Sequence, residues 1–221
     1  EVASFLHRGV KIHFHDEQSD KKETFHHENG IGDYVVRLRD DRHLKAVHEG
    51  QFLLEKDGDI GVQAALLWTE STDEFVKSYV NGIPTSSGGT HESGLRAGMG
   101  KAIRNYMETH KLTPRGITLT ADDLREGLLC VLSVFVPEPQ FQGQTKERLN
   151  NPEVQAVVDG IVRPALEQWL HSNRTIAEQI VTRIILSARA REASRAASAS
   201  ISRKTATSGR LPLPGQLSDC T

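Results

Sequence analysis

The residues best suited to chemistry lie in one loop, Pro137-Glu-Pro-Gln-Phe-Gln-Gly-Gln-Thr-Lys146. Pro137 and Pro139 stop the apolar run before them, and Gly143 frees the backbone. Gln144-Thr145-Lys146 then sets an amide, a hydroxyl and an ammonium side by side. A lysine ammonium is a compact charge on a long stem, suited to a phosphate, and a glutamine amide offers two more donors. On residue chemistry alone, a surface turn with a solvated lysine is the weightier reading, because no Walker pattern surrounds Lys146. A second candidate is Gly88-Gly89-Thr90-His91 at the start of a helical pattern, where free N–H groups and the helix dipole favour an anion. A tight turn that needs positive φ, with Thr90 as a simple cap, explains that motif at least as well.

His13 and His15 share one strand face, and His26 and His27 are adjacent. No third ligand falls in step with either pair, so no metal site is expected. No Ser/His/Asp or Cys/His arrangement stands out, and Asp122-Asp123 reads as helix-start electrostatics. Toward the end of the chain stand Arg174, Arg183, Arg189, Arg191, Arg195, Arg203, Lys204 and Arg210, opposed by Glu178 and Glu192, in a chain of net charge −2. Ala and Ser between these cations would let a phosphate backbone approach, while a merely solvated helix fits them equally well. No aromatic residue interleaves them, so base stacking is not implied.

These groups must be held by a scaffold. Residues 9–15 alternate as a half-buried strand, with 23–27 as a returning hairpin partner. Asp33 is placed to cap a short helix over 34–39. Residues 62–69 and 75–80 read as two paired strands across a polar turn, and 40–51 show no clear pattern. Thr90 should open a long helix with Leu95, Met99, Ile103 and Tyr106 near one face. Thr120 with Asp123 predicts a capped short helix ending at Gly127, and 128–136 a strand buried on both faces. Asn151-Pro152-Glu153 starts the next helix. From Asn173 or Thr175 no Pro or Gly intervenes until Gly209, which allows a helix about 50 Å long. Its first half carries Ile176, Ile180, Val181, Ile184 and Ile185; its Ala/Ser/Arg second half should leave the globule. The class expected is α/β or α+β with a helical arm and a stiff Leu211-Pro-Leu-Pro-Gly tail.

At 221 residues, with 37% apolar side chains, the chain can bury a core, and its near-zero net charge leaves any pull toward nucleic acid to local patches. Cys130 lies in an apolar run and reads as a buried, inert thiol; with only Cys220 besides, no disulfide framework is expected and a reducing cytoplasm fits best. No apolar run approaches bilayer length. The opening Glu1-Val-Ala-Ser is neither a signal peptide nor an initiator methionine, which suggests a piece of a longer protein.

Taken in order, Ser78-Tyr-Val-Asn-Gly-Ile-Pro-Thr85, Gly88-Gly-Thr-His91 with Gly94-Leu-Arg96, Arg125-Glu-Gly127, Val136-Pro-Glu-Pro-Gln-Phe141, Gln144-Thr-Lys146, Ala188-Arg-Ala-Arg191 and Leu213-Pro-Gly-Gln-Leu-Ser-Asp-Cys220 resemble the B subunits of bacterial type IIA DNA topoisomerases, gyrase and topoisomerase IV. The resemblance runs from about Phe5 to Thr221 and is confined to the family's transducer. It implies an α+β fold like the second domain of ribosomal protein S5: a four-stranded sheet, helices on one face, a left-handed βαβ crossover, and a long C-terminal helical arm. Handedness rules alone would give the opposite crossover. The implied division is a body over 1–172, a basic arm over 173–208, and a linker over 209–221 toward a metal-binding cleavage domain.

The resemblance further implies that Lys146, with Gln144 beside it and Thr145 between, reaches the γ-phosphate of an ATP held mainly by a preceding domain. That domain would also hold the Mg²⁺, with no metal bound by this chain. Arg96 would face a DNA-holding cavity, with Arg189, Arg191 and Arg195 as further DNA contacts. The implied partners are double-stranded DNA, the A subunit in an A2B2 assembly, and a second B subunit, in the cytoplasm at the nucleoid, with no membrane. The fragment alone would not be catalytically competent. Tyr79-Val-Asn with Ile83-Pro-Thr85, Pro114-Arg-Gly116 and Thr207-Ser-Gly209 lean toward topoisomerase IV. The rivals are a nucleic-acid-binding scaffold of the ribosomal type, which would need an aromatic or Lys-rich face, a mismatch-repair-type ATPase segment, and a free-standing enzyme.

Overall fold

Two near-continuous apolar runs, 61–68 and 128–135, supply strands for a sheet with two buried faces. The computed structural model describes residues 1–207, and side chains through residue 199. In chain order the elements are α1 (Val2–Leu6), β1 (Lys11–Asp16), β2 (Lys21–His26), α2 (Ile31–Asp41), β3 (Phe52–Lys56), β4 (Gly61–Trp68), β5 (Phe75–Val80), β6 (Ile83–Pro84), α3 (Thr90–Thr109), α4 (Ala121–Arg125), β7 (Leu128–Phe135), α5 (Pro152–Ser172) and α6 (Arg174–Thr207). The linker over 209–221, with its Leu213–Cys220 motif, Arg210 and Cys220, lies outside the described residues, as do the side chains of Arg203 and Lys204.

β1 and β2 form the expected hairpin, Lys11 opposite His26. The main sheet has five strands in the order β3-β4-β7-β5-β6, where four were expected. The added edge is the two-residue β6, returned by a tight turn in which Asn81 (φ 51°) and Gly82 (φ 79°) both take positive φ. β4 and β5 are not partners, contrary to the sequence reading. β7 lies between them, antiparallel to β4 and parallel to β5. The apolar 128–135 segment can fill that central place because both its faces are buried.

Helices cover both faces of the sheet, which corrects the one-faced expectation. On one side Leu66, Trp68, Cys130 and Leu132 pack with residues of α3, α5 and α6, such as Met99, Val158 and Ile180. On the other, Leu67, Leu129 and Val131 pack with Phe5, Tyr34 and Val35 of α1 and α2. The period of two along β4 and β7 sends alternate residues to each layer. α3 and α5 approach closely because Gly94 has no Cβ; one placed there would sit 2.5 Å from the Gln155 carbonyl oxygen.

Two caps differ from expectation. Asp33 is inside α2, not at its start, and its carboxylate accepts the Asn29 backbone N–H at 3.1 Å. Gly89, not Thr90, is the N-cap of α3. Thr120 caps α4 through a reciprocal pair with Asp123, as its spacing predicts. The first half of α6 belongs to the core through Ala177, Ile180, Val181 and Ile184.

Candidate functional site

The Gln-Thr-Lys loop stands on a stem locked at both limbs. β7 is followed by Val136, whose N–H donates to Asn81 Oδ1 while Asn81 Nδ2 donates to the Val136 carbonyl, each at 2.8 Å. Beyond the prolines, the Gln140 N–H donates to Asn151 Oδ1 at 2.6 Å. Phe141 and Leu149 face each other across the stem, closed by Gln142 N–H to the Arg148 carbonyl at 2.8 Å. Leu149 is fully buried, so the returning limb is pinned in the core. The tip turns through Gly143 (φ 78°) and Lys146 (φ 56°). Gln144, Thr145 and Lys146 are all exposed there, and among the described residues the Lys146 ammonium has no hydrogen-bond or ion-pair partner. Its charge is thus not spent on an ion pair among the described residues.

The second candidate motif supports the first. Gly88 (φ 67°) and Gly89 (φ 140°) run beside Leu149: Leu149 N–H donates to the Gly88 carbonyl and Thr90 N–H to the Leu149 carbonyl, each at 3.1 Å. A Cβ on Gly89 would fall on the Leu149 backbone, within 2.6 Å of its nitrogen. The glycines are therefore there for a close backbone approach as well as a turn. The anion near this helix start is the chain's own Glu92, packed so closely that a Cβ on Gly88 would lie 2.7 Å from its carboxylate.

Glu92 ends a buried polar chain. Ser78 Oγ donates to Glu92 Oε1 and lies 2.6 Å from Thr85 Oγ1, which lies 3.0 Å from His91 Nε2. An order that satisfies these contacts runs from His91 Nε2–H to Thr85, Thr85 to Ser78, and Ser78 to the carboxylate. It leaves the His91 Nδ1 lone pair unpartnered, as observed. Burial, and then the charge of Arg96, lower the His91 pKa to about 4. Arg96 donates to Glu74 and Glu92, each at 2.9 Å. Burial works against its charge, but the two carboxylates outweigh it and raise its pKa.

Four arginines of α6 divide into two groups. Arg183 donates to Glu126 and to the Ser71 carbonyl, and Ser187 donates to Glu126. Arg191 donates to both Asp123 oxygens and to the Thr118 carbonyl. Burial alone would raise the Asp123 carboxyl pKa, yet the bonds from Arg191 and Thr120 hold it below the usual carboxylate range. Arg189 and Arg195 are exposed. Of the four candidate DNA contacts, Arg96 and Arg191 are thus bound to carboxylates of the body, and Arg189 and Arg195 face solvent. From sequence alone, Asp123 is assigned to a helix cap and Asn151 to a helix start, and the side chains of Glu74, Glu92, Glu126 and Asn81 are given no role.

Burial pushes the Cys130 thiol pKa up. His13 and His15 bond Thr24 and Asp20, each at 2.9 Å. Among the described residues no three His, Cys, Asp or Glu side chains are grouped to hold a metal ion, and no helix is long and apolar enough to cross a membrane.

A profile of the family described as DNA gyrase B matches residues 30–200. The DNA gyrase B protein of Chlamydia pneumoniae is 39% identical over 98% of this chain and 28% of its own length. That of Archaeoglobus fulgidus is 40% identical over 99% of this chain and 34% of its own. The chain therefore spans about a third of the length of these relatives. Among solved structures, the 43K ATPase domain of Thermus thermophilus gyrase B, in complex with an aminocoumarin, superimposes with a TM-score of 0.82 at 32% identity, covering 89% of this chain and 53% of that one. The topoisomerase IV ATP binding domain of Francisella tularensis, with a small-molecule inhibitor, gives 0.75 at 35% identity, covering 86% and 51%.

Proposed function

The chain belongs to the DNA gyrase B family, and from that membership we propose that it is the transducer segment of a type IIA DNA topoisomerase B subunit, coupling ATP binding and hydrolysis to strand passage. The observation that carries the proposal is the exposed Gln144-Thr145-Lys146 tip on a stem locked into the core. The two similar structures described as ATPase or ATP binding domains are each only about half covered by this chain. The reading accordingly assigns the nucleotide pocket, with its Mg²⁺, mainly to a domain outside it. Division into a body over 1–172, an arm over 173–208 and a linker, with a left-handed crossover between β5 and β7, belongs to the same proposal.

In this mechanism Lys146 and Gln144 hold the γ-phosphate, and Lys146 neutralises its charge. A charge-assisted hydrogen bond contributes about 1.5–3 kcal/mol net. Driving a gate from mostly open to mostly closed takes about 5.5 kcal/mol of differential binding. Two such contacts supply much of that, and association with a second B subunit supplies the rest. Loss of the phosphate releases the tip. The stem is continuous with β7 and α5 and hydrogen-bonded to the start of α3, and α6 is tied to α4 and the Glu126 that follows it by Arg191, Arg183 and Ser187. Rotation of the body is thereby passed to the arm and toward an A subunit in an A2B2 enzyme working on double-stranded DNA in the cytoplasm. Arg189 and Arg195 serve as phosphate-backbone contacts, while Arg96 and Arg191 first hold the body together and present what charge remains. The features leaning toward topoisomerase IV concern only which B subunit this is; the mechanism is the same for gyrase.

The test is Lys146→Ala in the complete subunit. ATP turnover should be lost while nucleotide binding weakens much less. Near-normal turnover removes Lys146 from the mechanism. A nucleic-acid scaffold without ATP coupling would leave turnover untouched and is separated by the same assay.

A further inference from the structure

We propose that Asn151 is the positioning residue of the Gln144–Lys146 tip, setting where Lys146 arrives without touching the nucleotide; the inference rests on the phosphate-contact role proposed for Lys146. Asn151 is 3% exposed, and its carboxamide is fully engaged. Oδ1 accepts the Gln140 N–H at 2.6 Å, and Nδ2 donates to the Glu138 carbonyl at 3.2 Å and to Glu153 Oε1 at 2.7 Å. One buried amide thus joins the outgoing limb of the loop to the first turn of α5. That helix is anchored beneath it by Val154 and Val158, both fully buried. The limb between Val136 and Phe141 contains Pro137 and Pro139, which donate no backbone hydrogen bond. Its ties are side-chain amides, Asn81 at Val136 and Asn151 at Glu138 and Gln140, together with one backbone bond, Asn150 N–H to the Gln140 carbonyl at 2.8 Å.

The returning limb has backbone ties through Leu149. The two limbs are also bonded to each other, Gln142 N–H to the Arg148 carbonyl and Asn150 N–H to the Gln140 carbonyl, so Asn151 sets how the paired limbs sit on the start of α5. Reacting groups must be held to within about half an ångström, and this is done by buried residues that support the contacting ones. A misplacement of about 1 Å costs on the order of 100-fold in rate. Removing the Asn151 amide unties Glu138 and weakens the hold on Gln140, while the backbone bonds between the limbs and the pinned Leu149 stay in place, so the paired limbs can shift on α5. Nucleotide binding, supplied mostly by another domain, should change little.

The experiment compares Asn151→Ala, Asn151→Asp, Lys146→Ala and the Asn151→Ala/Lys146→Ala double variant in the complete subunit, reading kcat, KM for ATP and thermal midpoint. Asn151→Asp keeps the shape and the acceptor for Gln140 but loses both donors and sets a carboxylate against Glu153. It therefore tests the clamp if the alanine variant fails to fold. Expected is a fall in kcat of about 10-fold or more for both Asn151 variants, with KM nearly unchanged. The double variant should be no slower than Lys146→Ala alone. Adding Glu153→Gln to Asn151→Asp restores a donor–acceptor pair and should recover part of the loss. If Lys146→Ala abolishes turnover but folded Asn151 variants keep wild-type kcat, the clamp is refuted and the phosphate contact stands. If Lys146→Ala keeps its turnover, both fall.

Discussion

Replacing Gly89 by alanine should be among the most damaging single-methyl changes in this chain. Gly89 has φ 140° and ψ −159°, and an added Cβ would meet the Leu149 backbone within 2.6 Å of its nitrogen. That corner of conformational space is essentially restricted to glycine and costs any other residue about 1–3 kcal/mol. Relief of the clash must part the two segments, losing the bonds from Leu149 N–H to Gly88 and from Thr90 N–H to Leu149. Each contributes about 0.5–1.5 kcal/mol. The sum is about 4 kcal/mol, equivalent to a fall of roughly 8–16 °C in thermal midpoint for a chain of this size. Gly82→Ala is the control. Its φ is also positive, 79°, but nothing lies within 4 Å of the new methyl. It should lose only about 1–2 kcal/mol. Thermal unfolding followed by circular dichroism measures both. Equal losses for the two variants would refute the claim that Gly89 exists to let the loop's returning limb approach.

The buried His91 has a pKa near 4, below the ordinary 6.5, so the native state binds its proton less readily than the unfolded chain. Its contribution is complete above pH 6.5 and is lost as pH falls toward 4, a change of roughly 3 kcal/mol; His91→Gln should flatten the stability–pH curve across that window by urea titration. Arg191→Ala removes the partner of the buried Asp123 carboxylate, so amide exchange should rise over 185–195 while the β7 amides keep their protection. In the complete subunit, Arg189→Ala and Arg195→Ala should each lower the slope of log affinity for duplex DNA against log salt by about 1. Arg183→Ala, aimed at an arginine spent on Glu126 and Ser71, should leave that slope unchanged.

What was legible in the sequence was mostly local. The apolar 128–135 segment, the Thr120–Asp123 box and the Pro152 helix start each announce themselves within a few residues, and each is found where expected. Strand pairing is a property of the whole sheet. Residues 62–68 and 75–80 are neighbours in sequence, yet the apolar 128–135 segment separates them, taking a central place where both its faces are buried. β3 escaped notice because its alternation is weak, with Phe52 buried but Leu53 about half exposed. Thr90 looked like a cap because the need for Gly89 arises from Leu149, sixty residues onward. At the candidate site the tip residues could be picked out by type, but their supports could not. Asn81, Asn151, Glu74 and Glu126 are ordinary polar residues until the fold places a backbone limb or a guanidinium against them.

The central claim is that the Lys146 ammonium leaves water for a phosphate held by another domain. Acylation of Lys146 by an amine-reactive reagent, read by mass spectrometry in the complete subunit with and without a non-hydrolysable ATP analogue, tests this directly. Protection of Lys146 by nucleotide, with the exposed Lys111 still labelled, is the expected result. Labelling of Lys146 at the same rate in both states would contradict it.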